Sequence, residues 1–308
     1  MISRRLVRVK AMQTYYSFIQ NNEDINLEKV WNNLEQSLNK SYELYISLHC
    51  LLLQISNYAN NKIDIKKNKF LPTAEELNPN FKFVNNKVFA SFRANSLISK
   101  YMSNISYNWK KETEIVKSIY NTIEKSNFYK QYMSSKDCSL ENDITVIRGI
   151  IFNSIANNKD LDDCLEEKSI YWNDEIELLL SNIITNTSKI KEETGFVYIL
   201  SPMYKNSDDE EFAKNIITKC LKNRKQYDEL LSNTLKEWEL ERIALMDRII
   251  LHFILCEIID MPDMPISIIL DEWLEISKYY STNKSSKFIN GVVDKIYTQL
   301  KNERKIFK

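Results

Sequence analysis

Few residues in this chain could do covalent chemistry. There are two histidines, His49 and His252. Each sits in an apolar stretch, where an imidazole serves packing or an interface more readily than it serves as a base. The five cysteines, Cys50, Cys138, Cys164, Cys220 and Cys256, are scattered, odd in number and without metal-ligand spacing, which fits reduced thiols in a cytosol. Three glycines leave no room for a phosphate-cradling loop, a nucleophile elbow or a dinucleotide fingerprint. Acidic pairs such as Asp162-Asp163 and Glu192-Glu193 read as solvated surface. The expectation is a protein with no catalytic residues, no metal and no cofactor.

What remains is the chemistry of recognition. Arg4, Arg5, Arg8 and Tyr15 fall on one side of a helix expected from about residue 2 to 20. Arginines beside an aromatic ring suit RNA phosphates and bases, although a solvated basic N-terminus is the plainer alternative. Glu257 is a lone acid within Ile254-Leu255-Cys256-Glu257-Ile258-Ile259, where a polar partner is easier to justify than open solvent. With 42 basic and 42 acidic side chains the formal charge is zero, so any nucleic-acid binding must come from a local patch.

The elements that would position these residues are helical. Only five prolines accompany the three glycines, leaving little material for tight turns, so long helices joined by polar loops are expected. Near the end, Phe288, Val292, Ile296 and Leu300 recur every four residues and, with Val293, form an apolar face. Gly291 lies inside that helix at a cost of about 1 kcal/mol relative to Ala, which suggests close approach of a neighbouring backbone. From Leu240 to Ile259 the chain is apolar nearly all round, predicting a central helix. Charged interruptions from Glu241 to Asp260 keep it from being a membrane span. Pro265 suits the first turn of the next helix.

Further back, Leu27, Val30, Trp31, Leu34, Leu38, Tyr42, Tyr45, Leu48, Leu52 and Ile55 predict one long helix, followed by a solvated linker over 62–69 and a loop over 71–80. Amphipathic stretches are expected at 85–105 and 109–131, a break at 137–142, and short helices over 144–155 and 172–190, the latter capped by Gly195. Phe196 to Leu200 reads as a buried connector. Ser207 to Glu211 reads as a helix start with acids at the positive end of its dipole. The apolar run Phe212 to Leu231 follows on one face, giving four helices from about 208 to 303. No apolar signal-peptide core follows Met1-Ile2-Ser3-Arg4-Arg5.

Four blocks in order carry a resemblance: Leu240-Glu241-Arg242-Ile243-Ala244, Asp247-Arg248-Ile249-Ile250-Leu251, Met264-Pro265 with Ile269-Leu270-Asp271-Glu272, and Lys287-Phe288-Ile289-Asn290-Gly291-Val292-Val293-Asp294-Lys295-Ile296. Together they resemble the C-terminal signature of the NusB family of transcription antitermination factors. Ser3 to Tyr16 is similar to that family's arginine-rich first helix. The resemblance implies an all-α fold, with a NusB-like bundle made from 1–22 and 205–308 and an additional inserted helical region over 23–204. It implies a cytoplasmic protein, off the membrane, that pairs with NusE, a small-subunit ribosomal protein. The pair would bind boxA-type single-stranded RNA in ribosomal RNA leaders and support processive transcription by the elongation complex.

By position, the resemblance assigns RNA contact to Arg4, Arg5, Arg8, Tyr280, Ser281, Asn283, Lys284 and Ser285. It assigns partner contact to Tyr16, Glu257 and Phe288. Tyr16 and Phe288 have plain core readings as alternatives, and Glu257 that of a solvated tip. The loop departs from the family pattern, with Ser281 where glycine is usual and Lys284 where an acid is usual. Two other readings differ in kind. NusB-like modules also precede ribosomal RNA cytosine methyltransferases, disfavoured here because no glycine-rich cofactor domain follows the signature. A helical scaffold without RNA binding is the other.

Overall fold

The computed structural model describes residues 2–21, 26–103, 109–172, 175–235, 242–261, 263–282 and 284–303. Among these residues the regular structure is helical, and no helix is long and apolar enough to cross a membrane. The chain divides into two compact units, one made of Asn39–Met203 and the other of Ile2–Leu38 with Tyr204–Lys308.

The discontinuous unit starts with α1 (Arg4–Gln20), whose first turn is capped by Ser3 accepting from the Leu6 amide. It then takes the beginning of α2 (Leu27–Lys67), where Val30, Leu34 and Leu38 are fully buried at three- to four-residue spacing. Five helices return to it: α11 (Ser207–Lys222), α12 (Arg224–Thr234), α13 (Leu245–Ile259), α14 (Ile266–Tyr280) and α15 (Ser285–Asn302). The expectation of four is corrected at Asn223, where the Phe212–Leu231 run breaks in two. Asn223 Nδ2 and the Tyr227 hydroxyl both donate to Asp260, and that shared anchor turns the chain. Around α13 pack α1, α11, α12, α14 and α15, which is why α13 has no polar face: Ile249 to Ile258 is buried throughout. Leu240 and Glu241, expected at its start, lie outside the described residues. Pro265 takes the cap position of α14.

The continuous unit has its own core, running from Leu44 on α2 to Tyr198. The centre of α2 is buried on every side from Leu44 to Ile55, so the neighbouring helices pack around it. In chain order the helices of this unit are α3 (Ala74–Leu77), α4 (Lys87–Ala94), α5 (Ser96–Ser103), α6 (Thr113–Lys125), α7 (Asn127–Ser134), α8 (Leu140–Ile150), α9 (Lys159–Lys168) and α10 (Ile176–Thr187), of which α3 buries no residue. Three local expectations are corrected here. The solvated linker is helix as far as Lys67, its Lys62 paired with Glu124 at 2.6 Å and lying over the Tyr120 ring. Gly195 does not cap α10, which ends at Thr187. Its φ of +70° serves a separate turn in which the Phe196 amide donates to the Lys191 carbonyl. The 196–200 connector buries Tyr198, while Val197 and Ile199 are 56% and 75% exposed.

Candidate RNA and partner interface

On α1 the arginines expected to share an open basic face are each paired with an acid. Arg4 Nε lies 2.9 Å from Asp209 Oδ1, and Arg5 makes a bidentate pair with Glu272 at 2.7 and 2.9 Å. Arg8 is buried, donating through Nε and Nη2 to the two oxygens of Glu257 at 2.7 Å each. Trp273 Nε1 donates to the same carboxylate at 2.7 Å. Two site expectations are thereby corrected. Arg8 has no surface to offer a phosphate, and Glu257, assigned to partner contact, is at 1% exposure one half of an internal ion pair. Tyr15, also placed on the basic side, is buried with its hydroxyl 2.8 Å from His252 Nδ1. The physical reason is that α13 crosses α1 and a buried carboxylate there draws the nearest guanidinium inward.

The exposed side of α1 carries Arg5, Tyr16 and Gln20, with Gln20 Nε2 donating to the Tyr16 hydroxyl at 3.0 Å. Arg5 is held above its ordinary pKa by the hydrogen bond it donates to Glu272, with further support from the charges of Glu272 and Glu275 and from Tyr279. Those three residues lie on one side of α14, and Tyr279 is 83% exposed. Its neighbour Tyr280, assigned to the RNA face by position, is only half-exposed. The signal for Tyr279 lay in the helical register from Glu272, which sets it two turns along the same face. Around Arg4 the surface is acidic: a cleft of about 450 Å³ is lined by Asp208, Glu211 and Asp263 with Phe212, Met261 and Met264. The Arg4 and Arg8 guanidiniums lie 5.0 and 5.2 Å from the centroid of the Phe212 ring.

The loop before α15 is fastened from below. Ser281 Oγ donates to Asp247 Oδ1 at 2.5 Å and Ser285 Oγ to Asp247 Oδ2 at 2.9 Å, so one carboxylate on α13 holds both ends of the turn. Ser285 is buried, which corrects its expected place at the RNA face, and Ser281 is half-buried. Lys284 is exposed, and Asn283 lies outside the described residues. The first turn of α15 has no side-chain cap, so its amide donors and Lys284 face the same exposed end. On α15, Phe288 is half-buried, whereas Ile289, Val292, Val293, Ile296 and Leu300 form the packed face. Gly291 is exposed, and a Cβ built on it meets nothing within 4 Å, so among the described residues no neighbouring backbone makes the close approach expected there.

Comparison with known proteins places these elements. The family model described as "NusB family" matches residues 176–298, which runs from α10 into α15. The transcription antitermination protein NusB of Pseudothermotoga lettingae is 31% identical over 159 residues, covering 52% of this chain and 94% of that protein. That of Salinibacter ruber is 30% identical over 117 residues, 38% of this chain and 73% of the relative. That of Thermotoga maritima is 37% identical over 86 residues, 28% and 61%. No solved structure matches. Since this chain spans nearly all of one such relative at 31% identity, it belongs to the NusB family.

Proposed function

We propose that this chain is a cytoplasmic transcription antitermination factor that, together with NusE, holds boxA-type single-stranded RNA near the elongation complex, acting by assembly with no covalent step. Family membership supports the assembly role. The single observation that carries the RNA reading is that Glu272 of α14 holds half-exposed Arg5 on the side of that helix from which Tyr279 is fully presented. A guanidinium for phosphate beside a ring for an unstacked base is what single-strand recognition requires. Lys284 at the uncapped start of α15 adds a second cation, which a bound phosphate would stabilise where the helix dipole alone disfavours it. Arg4, like Arg5, would reach a phosphate from within an ion pair, with Asp209. Tyr16, Phe288 and the bare backbone at Gly291 form the proposed NusE face. Arg8, Glu257 and Ser285 serve from within, by fixing α1 and the loop.

The chain co-purified with NusE and titrated with boxA-type RNA at several salt concentrations tests this. Arg5→Ala should lower affinity and reduce the salt slope by about one counterion, while Tyr279→Ala should lower affinity and leave the slope unchanged. A second reading is favoured by the same ion pairs: with Arg4, Arg5 and Arg8 all matched to acids, the unit would be a protein-binding scaffold. RNA affinity unaffected by both substitutions would select it.

A further inference from the structure

A second cavity lies in the discontinuous unit, between the C-terminal half of α1 and the first turns of α12 and α13, with Ile19, Leu245 and Ile249 among its walls. It holds about 260 Å³, with Tyr15 at its base, Arg224, Lys225 and Asp228 on the α12 side, and Arg248 and His252 on the α13 side. Asp228 is already satisfied. Its Oδ1 accepts from Arg248 Nε and His252 Nε2, both at 2.8 Å, and its Oδ2 accepts from Arg248 Nη2 at 2.7 Å. The Tyr15 hydroxyl closes the other side of the His252 ring. These bonds fix the cavity floor and balance Arg248 against Asp228. Arg224 and Lys225 are left as two cations on the wall, and among the described residues no carboxylate pairs with either. Both helices enter the wall by first turns that lack a side-chain cap, so their amide ends add to the positive field.

We infer that this cavity binds a phosphate monoester dianion. A monoester carries close to two negative charges at neutral pH, which matches the two uncompensated cations. The volume is below that of a drug-sized pocket and suits a phosphate with little attached to it. Guanidinium and ammonium groups together with free amides are the donors a tetrahedral oxyanion needs. Inorganic phosphate, a free nucleotide and the 5′ end of an RNA all present this chemistry. The inference is independent of the RNA face at Arg5, which lies on the exposed side of α1.

Inorganic phosphate titrated into the full chain by calorimetry, with ionic strength held constant by chloride, should bind saturably. Binding should weaken by about tenfold or more in the Arg224→Gln, Lys225→Gln double variant. It should be retained in Arg224→Lys, Lys225→Arg. Competition identifies the source: adenosine 5′-monophosphate should compete where adenosine does not, and competition by a 5′-phosphorylated RNA but not its 5′-hydroxyl twin would assign the site to RNA ends. No saturable binding by the unaltered chain, equal binding by a folded double variant, or competition by the 5′-hydroxyl RNA as effective as that by its 5′-phosphorylated twin would overturn the inference.

Discussion

The pair Arg8–Glu257 is the most consequential contact at the scale of single residues. Both side chains are almost wholly buried, and Trp273 supplies a third hydrogen bond to the carboxylate. Removing one partner of such a pair strands a charge in the interior, so Glu257→Ala should cost about 3–5 kcal/mol in urea unfolding. Arg8→Met combined with Glu257→Leu should cost less than Glu257→Ala alone, because no unpaired charge is left. A double variant that is the less stable of the two would show that the pair adds net stability. His49 makes a second case. It is fully buried, its ring bonded to the Tyr45 carbonyl and the Tyr198 hydroxyl, and burial lowers its pKa from 6.5 to about 4. The unfolded chain therefore takes up a proton near pH 6.5 that the folded chain refuses until about pH 4. Stability should be full above pH 6.5 and fall between these values by up to about 1.4 kcal/mol per pH unit. Denaturant melts across this range should show the slope in the native chain and lose it in His49→Phe.

Among the elements, α15 departs most plainly from what its pattern suggests. Mid-helix glycine reads as a contact point, yet Gly291 faces open space. With no internal neighbour to displace, Gly291→Ala should stabilise the protein by about 0.5–1 kcal/mol through helix propensity and a less flexible unfolded chain. If the open position is where a partner's backbone comes close, the same change should weaken NusE binding, and calorimetry would show the two effects with opposite sign. A stability loss would mean that the helix tolerates no side chain at 291. The start of α15 and the end of α14 are tied through Asp247 to α13, so the loop that bears Lys284 is set by a helix remote from it in sequence.

For the molecule as a whole, the division between units falls within α2. Residues 27–38 bury Val30, Leu34 and Leu38 in the discontinuous unit, and Lys29 lies over the Phe18 ring of α1. A deletion that joins residue 22 to 206 removes these side chains. One that joins residue 38 to 204 by a flexible linker keeps them. The second should fold cooperatively, and the first should melt at a lower temperature or aggregate. Circular dichroism melts of the two proteins would compare them, and equal stability would place the start of α2 outside the unit's core.

Periodicity alone was enough to read an all-helical protein, the apolar α13, the buried stripe of α2 and the start of α11, because local spacing and few glycines and prolines fix which backbone state buries apolar area. The family's order of blocks was likewise legible without coordinates. What tertiary structure decided was which charges are spent internally. One helical wheel placed Arg5 and Arg8 together, but α13 lies against one side of α1, so Glu257 takes Arg8 into the core while Arg5 stays at the surface. Tyr279 and Tyr280 are adjacent in sequence, and only the packing of α14 determines that the first is presented and the second half-covered. Where the approach of a distant helix turns a surface charge into a buried pair, spacing along the chain carries no trace of it, since the partner lies 249 residues away.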